Sequence, residues 1–458
     1  MATITEQERK KIDAIGRAIL KDIKPSETEI DATNAICNRI MARLKSAVPK
    51  NVEVILAGSV ARGTQLSGSS DIDIFLLFPK AFTEEEIGKK GLEIGKSIVD
   101  KKRGETFIIK YAEHPYVKLI MKKEGIKADI VPAFKISDSF EMGSSVDRTQ
   151  IHNEFINANL TEKQKDEVRI LKSFLREHNA YGAEAKTEGF SGYLCELLIH
   201  YYGSFSNLIS EISELWLPFC IDPKSKKQIS DKEIFKRFNS DFIVIDPVDP
   251  NRNVAAAVSK ESLARFVLSA RKFAKKPSLD NFYGKKFNDL NSKGKLKKLS
   301  KDIGADFYVL SFPVPDISED IIWQQLKKLT KKYAETLRVE GFTPFLTLNA
   351  KAEKNILMGF FIGKYEINSV LRNGPSIFIK SASDAFIGKH KLFYLNEDRI
   401  ISIEKSKNRN PEELLRNITK AMEFPSNIKK SGVKFYINSI SEKDAKLLYE
   451  AYENSTFT

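Results

Sequence analysis

Ala57-Gly58-Ser59-Val60-Ala61-Arg62-Gly63-Thr64 is followed, after a short polar linker, by Ser70-Asp71-Ile72-Asp73-Ile74, and this stretch decides how the chain is read. Val52 to Ala57 alternates as a strand, and a glycine directly after a strand permits a tight turn and close backbone approach. Backbone N–H groups and the Ser59 hydroxyl at such a turn can cradle phosphate oxygens. Asp71 to Phe78 reads as a second strand. On it Asp71 and Asp73 stand two residues apart and share one face, while Ile72 and Ile74 face the other way, into a core. Two carboxylates this close repel unless a cation lies between them. A divalent ion with hard oxygen ligands is the natural partner, and Mg²⁺ suits a triphosphate best.

Working outward, the N-terminus reads as two helices, the second opening at Ser26 with Glu29 at capping-box spacing. After the Asp71–Phe78 strand come a charged helix near Thr83–Lys101 and strands near Phe107–Tyr111, Tyr116–Met121 and Lys127–Val131. This alternation predicts a compact α/β catalytic head over residues 1–135. Residues 136–262 read as a mainly helical middle domain. Thr161 and Gln164 cap one helix there, and another surrounds Tyr193–Tyr202. Residues 263–458 read as an α+β body and tail, with room for two subdomains, one inserted in the other. Helices are expected there at Asp316–Arg338, Pro411–Met422 and Glu442–Tyr452, and strands at Phe342–Leu348, Ile356–Ile362, Ser376–Ile379 and Phe435–Asn438. The expected class is therefore a multidomain α+β protein.

The chain has 458 residues, enough for roughly three domains at about 150 residues each. Hydrophobic residues make up 42%, which excludes wholesale disorder. No run approaches the roughly 18–20 apolar residues of a membrane span, and the charged first turns lack the apolar segment of a signal peptide. Three cysteines without CxxC spacing indicate neither a disulfide framework nor a zinc site. A soluble, cytoplasmic protein is expected. With 74 basic and 61 acidic residues the formal charge is +13, which favours polyanionic partners. The surplus is concentrated: residues 271–300 hold ten Lys and Arg against Asp280 and Asp289. Charge alone equally permits a solvated loop.

A lone D-x-D or a lone Gly-Ser is uninformative. The conjunction of strand, Gly-Ser, eleven residues and an apolar-flanked D-x-D resembles the signature of the polymerase-β-like nucleotidyltransferase superfamily. That resemblance calls for a third carboxylate on a later strand, and Asp129 in Lys127-Ala128-Asp129-Ile130-Val131 satisfies it. Further segments resemble the archaeal-type (class I) CCA-adding enzymes, the tRNA nucleotidyltransferases that build the 3′ CCA end. They are Tyr111-Ala112-Glu113-His114-Pro115-Tyr116, Val146-Asp147-Arg148-Thr149, Phe190 to Leu198, Asp246-Pro247-Val248-Asp249 and Arg252-Asn253-Val254-Ala255-Ala256. The class II enzymes carry an E-D-x-x-R signature, and here Glu397-Asp398 is followed by Ile401 where that signature needs Arg.

The resemblance implies addition and repair of the tRNA 3′-terminal CCA from CTP and ATP, without a nucleic-acid template and with release of pyrophosphate. Asp71, Asp73 and Asp129 would be the catalytic, metal-holding residues for two Mg²⁺ ions. Gly58, Ser59, Arg62 and Thr149 fall at nucleotide-binding positions, as do His152, Lys172, Tyr181 and Arg252. Lys172 has support of its own: it lies four residues after Val168 and three before Leu175, on the buried side of its helix, where an unpaired lysine is costly. A snorkelling structural lysine is the alternative. The partner would be the acceptor end and arm of tRNA, tracked by Lys285, Lys286, Lys295, Lys297 and Lys298 and by Lys327 and Lys331. Such backbone contacts would make affinity fall steeply with salt. A homodimer is a family expectation without a sequence feature of its own. A poly(A) polymerase or other terminal RNA nucleotidyltransferase shares the head chemistry, and a non-catalytic RNA-binding protein is the reading from another class.

Overall fold

The structure is a computed structural model that describes residues 4–68, 71–111, 114–136, 148–283, 291–364, 369–406 and 410–455. The chain divides into two compact units, Met1–Lys285 and Lys286–Thr458.

The first unit opens with α1 (Glu6–Ile23) and α2 (Glu27–Ala47). The head follows: β1 (Glu53–Ala57), the short α3 (Gly58–Arg62), β2 (Asp71–Phe78), α4 (Glu84–Ser97), β3 (Glu105–Tyr111), β4 (Pro115–Met121) and β5 (Ile126–Phe134). Its sheet has the order β1-β2-β5-β4-β3. Only the β2–β5 pair is parallel, and its register sets Asp71 beside Lys127 and Asp73 beside Asp129. One face of β2 sends Ile72, Ile74, Leu76 and Phe78, all fully buried, into a core shared with Ile36, Ile40 and Leu44 of α2 and Ile87 of α4. The two aspartates therefore occupy the opposite face, as the alternation requires. Reciprocal Thr83/Glu86 and Thr161/Gln164 capping boxes start α4 and the later helix Glu162–Glu177. At α2 only half of the motif forms, the Ser26 hydroxyl accepting from the Glu29 N–H.

The helical layer comprises α5 (Arg148–Asn159), α6 (Glu162–Glu177), α7 (Gly192–Tyr202) and α8 (Phe205–Ser213). The small sheet β7-β6-β8 comes next, from β6 (Phe219–Asp222), β7 (Lys227–Gln228) and β8 (Phe242–Val244), with α9 (Lys232–Phe238) between the last two. The layer ends with α10 (Lys260–Lys275). Residues 168–175 of α6 and 194–200 of α7 are buried without interruption, so both helices are covered on every side. Their core takes Ile12 and Ile19 from α1 and Phe266, Ala270 and Phe273 from α10. A boundary at residue 262/263 would cut through α10, and α1 packs with the helical layer rather than the head core. An amphipathic stripe shows that a helix is half-buried, not which core receives it.

The second unit holds α11 (Ser292–Asp302), β9 (Ala305–Pro313), α12 (Glu319–Val339), β10 (Pro344–Lys351), β11 (Asn355–Gly363) and β12 (Ser369–Ser376). It continues with α13 (Lys380–Ile387), β13 (Phe393–Asn396), β14 (Arg399–Lys405), α14 (Pro411–Ala421), β15 (Lys434–Ile437) and α15 (Glu442–Ser455). The strands form a β10-β11-β9-β15 sheet and a smaller β12-β14-β13 sheet. The strand expected over Ser376–Ile379 lies earlier. β12 ends at Ser376, and Ile377, Phe378 and Ile379 form an exposed turn. Among the described residues no helix is long and apolar enough to cross a membrane.

Candidate active site

Three carboxylates share one face of the head sheet, next to the buried Phe75 and Leu77. Asp73 and Asp129 are register partners across β2 and β5, and Asp71 stands one pleat away with 73% of its side chain exposed. Burial, then the charges of Asp129 and Asp71, push the Asp73 carboxyl up to about 7. Burial also raises Asp129, opposed by Lys118. Lys118, which faces Asp129 across the β4–β5 pair, puts its Nζ 3.1 Å from Asp129 Oδ1 and 4.0 Å from Asp71 Oδ1. The ammonium is the counter-charge of the buried Asp129 Oδ1 and is shared, at longer range, with Asp71. In this arrangement no three acidic, histidine or cysteine side chains among the described residues close round one point. The donor set nonetheless suits a hard divalent cation: all oxygen, mutually repelling, and raised by burial and by one another toward protonation.

Gly58 makes the approach possible. Its φ is +71°, and a Cβ there would lie 1.9 Å from Asp73 Oδ2, so the carboxylate packs directly onto the glycine backbone. Ser59 follows on α3, and the segment expected as a plain turn is one short helix closed by Gly63 in the left-handed region.

Arg62 and Lys172 are buried rather than open to the face, with side chains 8% and 2% exposed. Arg62 Nη1 donates to Asn153 Oδ1 on α5 at 2.6 Å, and its Nε lies 2.9 Å from Glu196 Oε2 on α7. Lys172 donates to the Thr64 carbonyl at 3.0 Å and to Thr64 Oγ1 at 3.1 Å, while Thr64 Oγ1 donates to Glu196 Oε1 at 2.5 Å. Arg169, one turn earlier on α6, donates to the carbonyls of Gly63 and Gln65 at 2.5 and 2.9 Å. Three successive carbonyls of the loop after α3 are thus held by two cations of α6. Burial holds the Lys172 ammonium below the usual lysine range, opposed by Glu196. Tyr181, raised by burial, points its hydroxyl toward Gly192, where a Cβ would lie 3.4 Å from Tyr181 Oη and 3.6 Å from Lys172 Nζ.

A second cluster gathers round Asp246, which is fully buried. It accepts from His152 Nε2 at 2.9 Å, Arg252 Nη1 at 2.7 Å, Tyr193 Oη at 3.1 Å and the Val248 N–H at 3.1 Å. Burial alone would raise Asp246, but the hydrogen bonds from His152 and Arg252 outweigh it and hold the carboxyl below the usual range. His152, lowered by burial, stacks on Tyr193 at 3.9 Å between ring centres. Arg252 keeps 34% of its side chain exposed, so one end of its fork is anchored and the other is accessible. Thr149 sits in the first turn of α5 beside Arg148, whose Nε pairs with Asp249 at 3.0 Å.

Sequence reasoning passed over Lys118, Glu196, Asp246 and Arg169. The signal for Lys118 is a single charge in the otherwise apolar Val117–Met121 run, and for Glu196 a lone acid among Leu194, Cys195, Leu197 and Leu198. In the second unit Lys297 and Lys298 are exposed on α11, and Lys295 lies 4.9 Å over the Tyr449 ring. Lys327 is half-buried on α12, and Lys331 stands 3.9 Å from Glu335. Lys285 and Lys286 lie outside the described residues.

The β2–β5 carboxylate face over a Gly-Ser segment defines a nucleotidyltransferase head, and the profile described as "Nucleotidyltransferase domain" matches residues 37–152. Two further profiles follow: "tRNA nucleotidyltransferase, second domain" over residues 166–283 and "CCA-adding enzyme, C-terminal domain" over residues 303–438. The CCA-adding enzyme of Methanocaldococcus jannaschii is 34% identical, covering 95% of this chain and 96% of that protein. That of Archaeoglobus fulgidus is 35% identical over 89% of each, and that of Pyrococcus abyssi 38% identical over 71% of this chain and 72% of its own. The chain belongs to the CCA-adding enzymes and is a tRNA nucleotidyltransferase. A solved cytoplasmic RNA terminal U-transferase is a weaker likeness, 16% identical with a TM-score of 0.48 over 60% of this chain and 99% of that one.

Proposed function

We propose that the protein adds CMP, CMP and then AMP to the 3′ end of tRNA from CTP and ATP, with Asp71, Asp73 and Asp129 holding two Mg²⁺ ions. The observation that carries this reading is the pairing of Asp73 with Asp129 across parallel strands, with Asp71 on the same face. The ions would supply activation of the RNA 3′-hydroxyl and neutralisation of the charge growing on the α-phosphate and departing pyrophosphate. The chain's own residues do the rest. Gly58 lets the Asp73 carboxylate rest against the backbone, so the reacting ends meet over a rigid strand rather than a loop. Ser59 offers its hydroxyl, and the loop from Gly63 to Gln65, its carbonyls tied back by Arg169 and Lys172, brings the positive charge of α6 up to the triphosphate.

Arg252 and His152, anchored through Asp246, are suited to the incoming base, because a guanidinium fork held at one end offers a planar donor edge at the other. Arg252→Ala is expected to leave the first-order rate of addition within about tenfold but to erode discrimination between CTP and ATP by about 1–2 kcal/mol, the value of one or two directed hydrogen bonds. Single-nucleotide incorporation with CTP and ATP in competition measures this. Loss of all addition at unchanged C-versus-A preference would contradict the assignment. Lys297, Lys298 and Lys331, exposed in the second unit, are suited to the RNA backbone.

A further inference from the structure

Arg62 and Lys172 present a problem of charge. Both are buried, and the carboxylate they share, Glu196, is wholly inaccessible. Arg169 beside them has its own partner, Asp166, at 2.6 Å. Among the described residues Glu196 is therefore the one carboxylate in direct ion-pair range of both cations, and the next carboxylate that Arg62 acts on is Asp73 of the metal-holding face. A buried charge without a close counter-charge is costly, so Arg62 and Lys172 are best satisfied when a further anionic group joins the set. The single carboxylate is also divided. Oε2 faces Arg62, whereas Oε1 takes the Thr64 hydroxyl, which in turn accepts from Lys172, with the direct Lys172 Nζ–Glu196 Oε1 separation being 3.8 Å. Each oxygen addresses a different cation, and neither cation is neutralised outright.

We propose that Glu196 is a positioning residue for the triphosphate: its two oxygens hold Arg62 and Lys172 together as cations behind the Gly63–Gln65 loop, leaving one net positive charge for the phosphates. This rests on the reading of Arg62 and Lys172 as nucleotide-binding residues given above. The role requires the negative charge of Glu196 and not only its shape. Lys172 is faced by Glu196 and Cys195 from α7, by Arg62 from α3, by Thr64 from the loop and by Arg169 on its own helix. Of these groups Glu196 is the one that favours a charged lysine strongly, because Cys195 is buried and pushed up to about 12, hence neutral. Burial and both arginines act the other way.

The test is steady-state addition of CMP to tRNA lacking its CCA end, with CTP varied from near pH 6 to near pH 9. In E196Q, Lys172 loses its counter-charge and deprotonates as pH rises, so the KM for CTP should climb by about tenfold or more across the range while kcat changes less. At the acid end KM should return toward that of the unaltered enzyme. E196D, which retains the charge, should track the unaltered enzyme in pH dependence. An E196Q profile parallel to the unaltered one, or an equal loss in kcat at every pH, would overturn the proposal. Should E196Q fail to fold, Thr64→Val removes the hydroxyl that joins Glu196 to Lys172. It should show the same rise in KM with pH at smaller amplitude, and a flat profile would then overturn the proposal. K172M separates this inference from the reading beneath it. If KM for CTP is unchanged in K172M, Lys172 does not hold the triphosphate and that reading fails. If K172M raises KM while E196Q follows the unaltered enzyme, only the role of Glu196 fails.

Discussion

Asp73→Asn is expected to lower addition of both CMP and AMP by on the order of 10³-fold or more, with tRNA binding intact. Asp73 is the central carboxylate of the site: it pairs in register with Asp129, shares its face with Asp71 and rests on Gly58. Asparagine keeps the volume and removes the charge. It contributes nothing to the positive surface that the RNA backbone would follow, so a gel-shift affinity for tRNA should stay within about twofold. The substitution also has a thermal signature. The Asp73 carboxyl is raised from 3.8 to about 7, so between those values the folded chain carries a proton that the unfolded chain has released. Stability must therefore fall as pH rises through that window. Without divalent ions the Tm of the unaltered protein should decline from about pH 4 toward about pH 7 more steeply than that of D73N. Parallel Tm profiles would contradict the buried, repelled carboxylate, and near-normal turnover by D73N would contradict its part in the chemistry.

Gly58→Ala should reduce kcat by about 10²-fold, because displacing a reacting group by as little as 1 Å can cost that much. The added Cβ would lie 1.9 Å from Asp73 Oδ2 and 2.9 Å from its Cγ, so the carboxylate has to leave its place. The backbone cost is separate. A φ of +71° at a non-glycine residue adds strain of about 1–3 kcal/mol. Gly68 supplies the control, since it has nearly the same φ, +69°, with nothing within 4 Å of a Cβ. G68A should lose comparable stability and retain nearly full kcat. Equal losses of kcat in the two variants would mean that strain, and not the contact with Asp73, governs activity.

The head was legible because its chemistry is local. The Gly-Ser segment and the two aspartates lie within sixteen residues, from Gly58 to Asp73, and period-two alternation fixes which face they share. Asp129 was legible through the superfamily resemblance, which calls for a third carboxylate on a later strand. Partners remote in sequence were not. Arg62 meets Asn153 across 91 positions, Thr64 meets Glu196 across 132, and His152 meets Asp246 across 94. Each acid stood inside a segment with family resemblance, but nothing in a linear pattern says that Glu196 and Asp246 are the residues on which the proposed nucleotide-binding side chains converge. For the same reason Lys172 could be placed on a buried helix face without its partners being named. In the second unit Ile377-Phe378-Ile379 has strand composition but stands exposed, since β-propensity describes fit to a half-buried surface and no such surface covers it.

The most direct test of the account is incorporation on tRNA lacking its CCA end, with CTP alone, ATP alone or both, with and without a chelator of divalent ions. Two additions are expected with CTP alone, a third and final one when ATP is also present, and none in the chelator until Mg²⁺ is restored. An untemplated homopolymer, or incorporation that persists in the chelator, would contradict it.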